Sequence, residues 1–324
     1  MTGSSGFIGS HLVEFLIEEG HEIRCLVRPE SDLTWLRGRD VRLISCRYSD
    51  KVALAQAVQD MEVIFHLAAR IEAPNWDAYY TANTLSTKQL LQACVENNPE
   101  LKRFVFVSSI AASGPSQRGK MKAESSQCLP VSLYGRSKLM AEKIVLGFAE
   151  RIPVVILRPA NVLGARQKEL TTILNLLRIR IMPMVGSAES KTSICFVEDT
   201  VRALILAAVH EKAVGNTYFI ADTSVYSWRS MLEIIAKELG IYPAVFRIPY
   251  PVLFSIATLS EGLAALFGKQ ALLTREALEA TRKYNWTYRV DKIRDELGFE
   301  TRISFENGMR DIVDDFKLKR KARA

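Results

Sequence analysis

The stretch that decides the fold is Thr2-Gly3-Ser4-Ser5-Gly6-Phe7-Ile8-Gly9-Ser10-His11-Leu12. Three glycines at three-residue spacing lead straight into an amphipathic pattern. Gly3 suits a tight turn, Gly6 the close approach of a ligand, and Gly9 the packing of a helix onto a strand. Such a loop aims backbone N–H groups at a pyrophosphate lying on the N-terminus of the next helix. Gly3, Ser5, Gly6, Phe7 and Ile8 are therefore candidate dinucleotide contacts. Only Met1 precedes the loop, so the strand that should lead into it is largely absent. That strand would stand mid-sheet, and its loss would unpair two neighbours. The expectation is that the native chain starts upstream of Met1.

Working outward, short apolar runs alternate with helical patterns. Strands are expected at 22–27, 41–45, 63–66, 103–107 and 154–157, with helices near 11–18, 54–57, 79–96 and 134–149. This is the pattern of an α/β protein with a Rossmann-type, doubly wound parallel sheet. Beyond Gly164 the pattern is less regular. Strands near 194–196 and 217–220 are interspersed with helices near 200–209, 230–239, 252–267, 275–282 and 305–317. The expected organisation is a dinucleotide-binding domain at 1–164 and a smaller, mostly helical substrate lobe at 165–316. That lobe packs on the sheet with some chain exchange, and a basic tail follows at 317–324.

The 324 residues are 48% hydrophobic and 24% charged, which excludes a disordered or fibrous chain. Five of the 43 basic residues fall in the last eight positions; the remaining 38 against 36 acidic residues leave a balance of +2. No aromatic–basic interleaving supports nucleic-acid binding. The five cysteines are scattered and never spaced C-x-x-C, so neither a disulfide framework nor a metal site is expected. With no leader pattern and no apolar run of about 18 residues, a cytoplasmic location is expected. Residues 248–260 carry no charge, and Val252, Ile256, Leu259, Leu263 and Phe267 recur near helical spacing. That stripe at 249–267 reads first as core. A lid over an apolar substrate, a dimer face and a membrane-surface helix are the alternatives.

The second strand ends Cys25-Leu26-Val27-Arg28. A carboxylate here accepts the ribose hydroxyls of NAD, whereas an arginine pairs with the 2′-phosphate of NADP. Val27 followed by Arg28 favours NADP, with NAD as the alternative. Leu67-Ala68-Ala69 after His66, and Ser108-Ser109 after Val107, lie at strand ends that converge on the same crevice. Tyr134-Gly135-Arg136-Ser137-Lys138 sets Tyr and Lys at i and i+4 on one helix face. A tyrosine near a lysine ammonium can exchange a proton with a substrate oxygen while nicotinamide exchanges a hydride. Ser109 can hydrogen-bond that oxygen. Ser109, Tyr134 and Lys138 are the candidate catalytic residues, with Lys138 also a candidate ligand of the nicotinamide ribose.

Taken together, these motifs resemble the extended short-chain dehydrogenases/reductases of the NAD-dependent epimerase/dehydratase family. The resemblance covers nearly the whole chain: 2–12, 66–69, 83, 107–114, 134–142, 158–164, 196–199 and 296–299. It implies that Ser109, Tyr134 and Lys138 stand at the family's catalytic positions. It further implies that Pro159 borders the cofactor, that Asn161 touches substrate, and that the chain forms a homodimer. Asn83 and His66 are read as structural, and Asp199 as a helix cap.

Departures narrow the chemistry. Ile110-Ala111 follow Ser109 where sugar-nucleotide dehydratases carry Asp-Glu, so no second acid/base pair is present for dehydration. Arg47 replaces an aspartate often found near the adenine. Thr192 stands where nucleotide-sugar epimerases place a diphosphate-binding arginine, although Arg166, Arg178 or Arg180 offer substitutes. The apolar C-terminal pattern, with Arg28, resembles the branch of 3β-hydroxysteroid dehydrogenases and dihydroflavonol reductases. The expected function is interconversion of a ketone and a secondary alcohol on a mainly apolar small molecule of the sterol, isoprenoid or flavonoid kind. The alternatives are a nucleotide-sugar 4-epimerase holding NAD tightly and a non-catalytic NAD(P)-binding sensor.

Overall fold

Parallel strands alternate with helices throughout the first half of the computed structural model, which describes residues 1–117, 119–185, 190–266, 275, 278–279 and 283–321. The strands are β1 (Arg24–Val27), β2 (Arg42–Ser45), β3 (Val63–His66), β4 (Arg103–Val107) and β5 (Val154–Pro159). Between them run α1 (Phe7–Glu18), α2 (Lys51–Val58), α3 (Trp76–Tyr79), α4 (Ser86–Asn97), the short α5 (Ile110–Ser113) and α6 (Leu133–Gly147).

The second half begins with β6 (Asn161–Leu163), α7 (Lys168–Arg178), β7 (Ile181–Val185) and β8 (Lys191–Phe196). Next come α8 (Val197–Val209), β9 (Thr217–Ile220), β10 (Val225–Ser227), α9 (Trp228–Leu239) and β11 (Ala244–Ile248). Helices α10 (Tyr250–Leu266), α11 (Asp291–Leu297) and α12 (Phe305–Lys321) complete the described chain.

The principal sheet is parallel and consists of two ribbons, β2–β1 and β3–β4–β5–β9. Thr2 joins them by bridging Leu26 on one side and His66 on the other. Its N–H donates to Phe65 O at 2.9 Å, and Leu26 N–H donates to Met1 O at 2.9 Å. Two residues thus hold the place of the first strand. Met1 N also donates to Arg24 O at 2.5 Å.

Every residue of β4 and β5 is buried, as befits parallel strands covered on both faces. Alternation divides them. Val105, Val107, Val155 and Leu157 join α1 and α8 on one face, while Phe104, Phe106, Val154 and Ile156 join α4 and α6 on the other. The chain beyond Gly164 also serves this sheet, through α8 and the outer strand β9. The rest forms a lobe around the ribbon β10–β8–β6, the parallel pair β11–β7, and a core shared by α7, α9 and α12.

The structure corrects four expectations. The helix expected over 79–96 is interrupted by a π-helical turn at Tyr80–Leu85, which brings Asn83 and Thr84 against α6. Asp199 lies in the first turn of α8 but does not cap it. Its carboxylate instead accepts the N–H groups of Arg302 and Ile303, fastening the incoming C-terminal segment. The described part of the apolar stripe is not core: among the described residues of α10 only Leu253 and Ala257 are buried, while Val252, Ile256, Leu259 and Leu263 are 48–65% exposed. The basic tail expected at 317–324 does not begin as a separate element at Lys317. Helix α12 continues to Lys321, and the Lys317 ammonium donates to Glu238 O at the end of α9, 3.1 Å away. Phe267 and most of the helix expected over 275–282 lie outside the described residues. Among the described residues no helix is long and apolar enough to cross a membrane.

Candidate active site

The site is built where the C-terminal ends of the sheet strands meet the glycine loop. Gly3 adopts φ +72°, and a Cβ on it would lie 2.6 Å from Ala68 N. The loop is therefore pressed against Leu67-Ala68 at the end of β3, and Ala68 N–H also donates to Thr2 Oγ1 at 3.2 Å. A Cβ on Gly9 would lie 2.0 Å from Gly3 O, so this turn and this helix pack with no room for a side chain. Gly6 serves as the N-cap of α1; no side chain caps that terminus and no acid stands in its first turn. An uncapped helix N-terminus behind a glycine loop fits a dinucleotide pyrophosphate. Ser5, Phe7 and Ile8 are partly exposed around it, whereas Ala69 is exposed beyond Ala68.

At the far end of β1, Arg28 is exposed. Its N–H donates to Ser31 Oγ at 3.0 Å, and Ser31 N–H returns to Arg28 O at 3.0 Å. Among the described residues the Arg28 guanidinium has no ion-pair partner. Arg47, by contrast, pairs with Glu30 through both nitrogens at 3.2 and 3.1 Å.

The candidate triad comes together. Ser109 follows β4 by two residues and N-caps α5, accepting Ala111 N–H at 3.1 Å, and its side chain lies beside Tyr134. Ser132 caps α6 through Gly135 N–H at 2.9 Å, which fixes the turn bearing Tyr134. Burial pushes the Tyr134 phenol up to about 12, with the neighbouring Ser109 hydroxyl opposing. Lys138, one turn on, is buried. Its ammonium donates to Val107 O at 2.7 Å and lies 4.1 Å from the centre of the Phe106 ring. Burial lowers its pKa to about 7, against the raising effect of Glu142. In this arrangement the phenol is thus governed by burial rather than by the lysine charge.

Pro159 is buried at the end of β5, while Asn161 is exposed on β6 with its amide donating to Thr192 Oγ1 at 2.8 Å. Asn83 is structural in its geometry. Its amide accepts Arg70 N–H and donates to Arg70 O and Ser137 Oγ, at 2.7, 3.0 and 2.9 Å. His66 bonds Thr2 Oγ1 and Thr87 Oγ1 through its two ring nitrogens. Two features were missed in the sequence. Tyr79 places its ring 6.4 Å from Tyr134, and Glu142 gathers Ser108 and Arg158 beneath the triad. The i+4 spacing of Lys138 and Glu142 signalled the second; nothing in the sequence signalled the first.

A model of the NAD dependent epimerase/dehydratase family matches residues 1–221. The chain belongs to this family. It is similar, at 28% identity over 95% of its length and 93% of the relative's, to a 4-hydroxy-2-methyl-3-oxo-4-farnesyl-3,4-dihydroquinoline-1-oxide ketoreductase of Stigmatella aurantiaca. It is 26% identical to a 3 beta-hydroxysteroid dehydrogenase/Delta 5-->4-isomerase of Mycobacterium tuberculosis, covering all of this chain and 93% of that one. Among solved structures it resembles MoeE5 in complex with UDP-glucuronic acid and NAD, at TM-score 0.77 and 25% identity over 98% of both chains. As a member of this family the chain is an NAD(P)-binding enzyme of the dehydrogenase, reductase and epimerase kind.

Proposed function

We propose that the family member described here is an NADP-preferring oxidoreductase that interconverts a ketone and a secondary alcohol on a mainly apolar substrate. The observation that carries this reading is the assembled trio: Ser109 beside Tyr134, with Lys138 one helical turn away and its ammonium on Val107 O. The dinucleotide would be held by the glycine loop, the α1 terminus, Leu67–Ala69 and Pro159, and when bound its nicotinamide supplies the hydride. Ser109 and Tyr134 then hold the carbonyl oxygen. A phenol pushed up to about 12 is protonated at neutral pH, so Tyr134 enters ketone reduction as the proton donor. Lys138 stands ready to support the phenolate left behind and to bind the nicotinamide ribose.

Two features favour NADP and an apolar substrate. Arg28 is exposed with no ion-pair partner among the described residues, and Val27 stands where a carboxylate would select NAD. The relatives named for a farnesylated quinoline ketone and for hydroxysteroids act, by those names, on apolar ring systems. The resemblance to MoeE5 favours a second reading, a nucleotide-sugar enzyme with tightly held NAD.

Fluorescence titration with NADPH and NADH separates the two. Clearly tighter NADPH binding that is lost in Arg28→Ala is the expected result. It should be accompanied by NADPH oxidation with trans-1-decalone or a 3-ketosteroid, abolished in Tyr134→Phe while NADPH affinity is kept. Tighter NADH binding, or NAD that co-purifies and does not exchange, would overturn the NADP reading.

A further inference from the structure

Beneath the candidate triad lies a buried polar assembly to which the proton and hydride chemistry assigns no part. Glu142 is 2% exposed, as expected of a side chain four residues beyond Lys138 on the inner face of α6. Three donors converge on its carboxylate: Ser108 Oγ–H at 2.5 Å and Arg158 Nε–H at 2.9 Å on Oε1, and Arg158 Nη2–H at 2.7 Å on Oε2. Burial works against the Arg158 charge, but the hydrogen bonds and charge of Glu142 outweigh it and hold the guanidinium firmly protonated. The other contacts of that guanidinium are Cys128 Sγ at 3.3 Å and the Phe219 ring, 5.5 Å away.

The placement of Ser108 gives this assembly its meaning. Val107, immediately before it, supplies the carbonyl that receives the Lys138 ammonium, and Ser109, immediately after it, lies beside Tyr134. One carboxylate therefore ties the end of β4, which carries the lysine's acceptor and the serine, to the helix that carries the tyrosine and the lysine. Resting on the catalytic reading above, we propose that Glu142 is a positioning residue. Clamped by Ser108 and Arg158, it fixes β4 against α6 and sets a negative charge one helical turn from Lys138 that favours the ammonium over the free amine.

Among the described residues, Glu142 is the charged group that acts on Lys138. From β3 comes His66, which burial, with Lys138 contributing, holds neutral down to about 3. The π-helical turn brings the uncharged Asn83 and Thr84, bonded to Ser137. Tyr79 of α3 faces Tyr134, while Asp77 of α3 and Lys88 of α4 are exposed. From β5 comes Arg158, already engaged with Glu142. On α6 itself Arg136 is exposed.

The test needs no substrate. In protein labelled with [ε-13C]lysine, the Lys138 resonance is assigned by its disappearance in Lys138→Met and titrated in the presence and absence of NADPH. In Glu142→Gln its midpoint should fall by about one pH unit, a tenfold loss of proton affinity, and Glu142→Asp should recover most of that shift. Breaking one side of a buried pair can prevent folding. The double variant Glu142→Gln/Arg158→Met removes both partners and should show the same direction of shift. A midpoint unchanged in these variants, with only thermal stability lowered, would make Glu142 a mere fastener and overturn the proposal. Turnover of trans-1-decalone by Tyr134→Phe and Lys138→Met tests the underlying catalytic reading separately. Inactive Tyr134→Phe beside an unmoved midpoint overturns this proposal alone; wild-type turnover in both overturns the catalytic reading.

Discussion

His66 shows how a residue at the head of the site can govern stability without doing chemistry. Burial between Thr2 and Thr87 lowers its pKa from about 6.5 to about 3. The unfolded chain therefore takes up a proton near pH 6.5 that the folded chain refuses until near 3. Stability from the neutral, bonded imidazole is complete above 6.5 and drains away as the pH falls through that window. The limiting slope is about 1.4 kcal/mol per pH unit. Thermal denaturation between pH 7 and 4.5 should show this slope in the parent and a flatter one in His66→Gln. Equal slopes would mean that other groups set the acid limit. The structural reading of His66 was available from its strand-end position; its two threonine partners were not, because Thr87 lies a helix away in sequence.

At the scale of elements, legibility followed burial pattern. Strands β3 and β4 fall on the expected residues because both are short apolar runs bounded by turns. Strands β6, β7, β10 and β11 went unrecognised, as did α7. The lobe strands are three to five residues long and draw their stability from pairing partners distant in sequence, a tertiary term no local pattern carries. The glycine loop was the most legible element, and its two tight positions yield a discriminating prediction. A methyl on Gly9 meets the Gly3 backbone, so Gly9→Ala must displace the dinucleotide loop. It should lower NADPH affinity at least about tenfold while costing roughly 1–3 kcal/mol from overpacking. Gly20→Ala meets open space but sits at φ +77°, so it should cost about 1–2 kcal/mol and leave NADPH affinity intact. Fluorescence titration and urea unfolding of both variants decide it; equal NADPH affinities would remove Gly9's special standing.

At the scale of the whole molecule, the sheet and the lobe are fastened through Arg166, one of the three arginines that the sequence offers as stand-ins for a diphosphate-binding arginine. The chain leaving β6 turns back onto α1. Ala165 O receives His11 Nε2 at 3.1 Å, and Arg166 donates to Ser10 Oγ at 2.8 Å and to Glu14 Oε2 at 2.6 Å. The same guanidinium stacks 4.4 Å from the Trp35 ring, and Glu14 is shared with Arg39. Arg166 is thus spent on α1, the helix whose N-terminus closes the glycine loop, which weakens its candidacy as a substrate ligand. It achieves this at φ +76°, where a residue with a Cβ is strained. Two effects can therefore be separated. Arg166→Ala loses the clamp and keeps the strain; Arg166→Gly loses the clamp and releases it. Both should bind NADPH more weakly than the parent, by a similar factor, because α1 is equally loosened. Arg166→Gly should nevertheless be the more stable of the two by about 1 kcal/mol, despite the greater freedom glycine confers on the unfolded chain. Paired thermal melts supply the measurement. If the glycine variant melts at or below the alanine variant, the backbone at Arg166 is not strained, and the clamp accounts for all of that residue's effect.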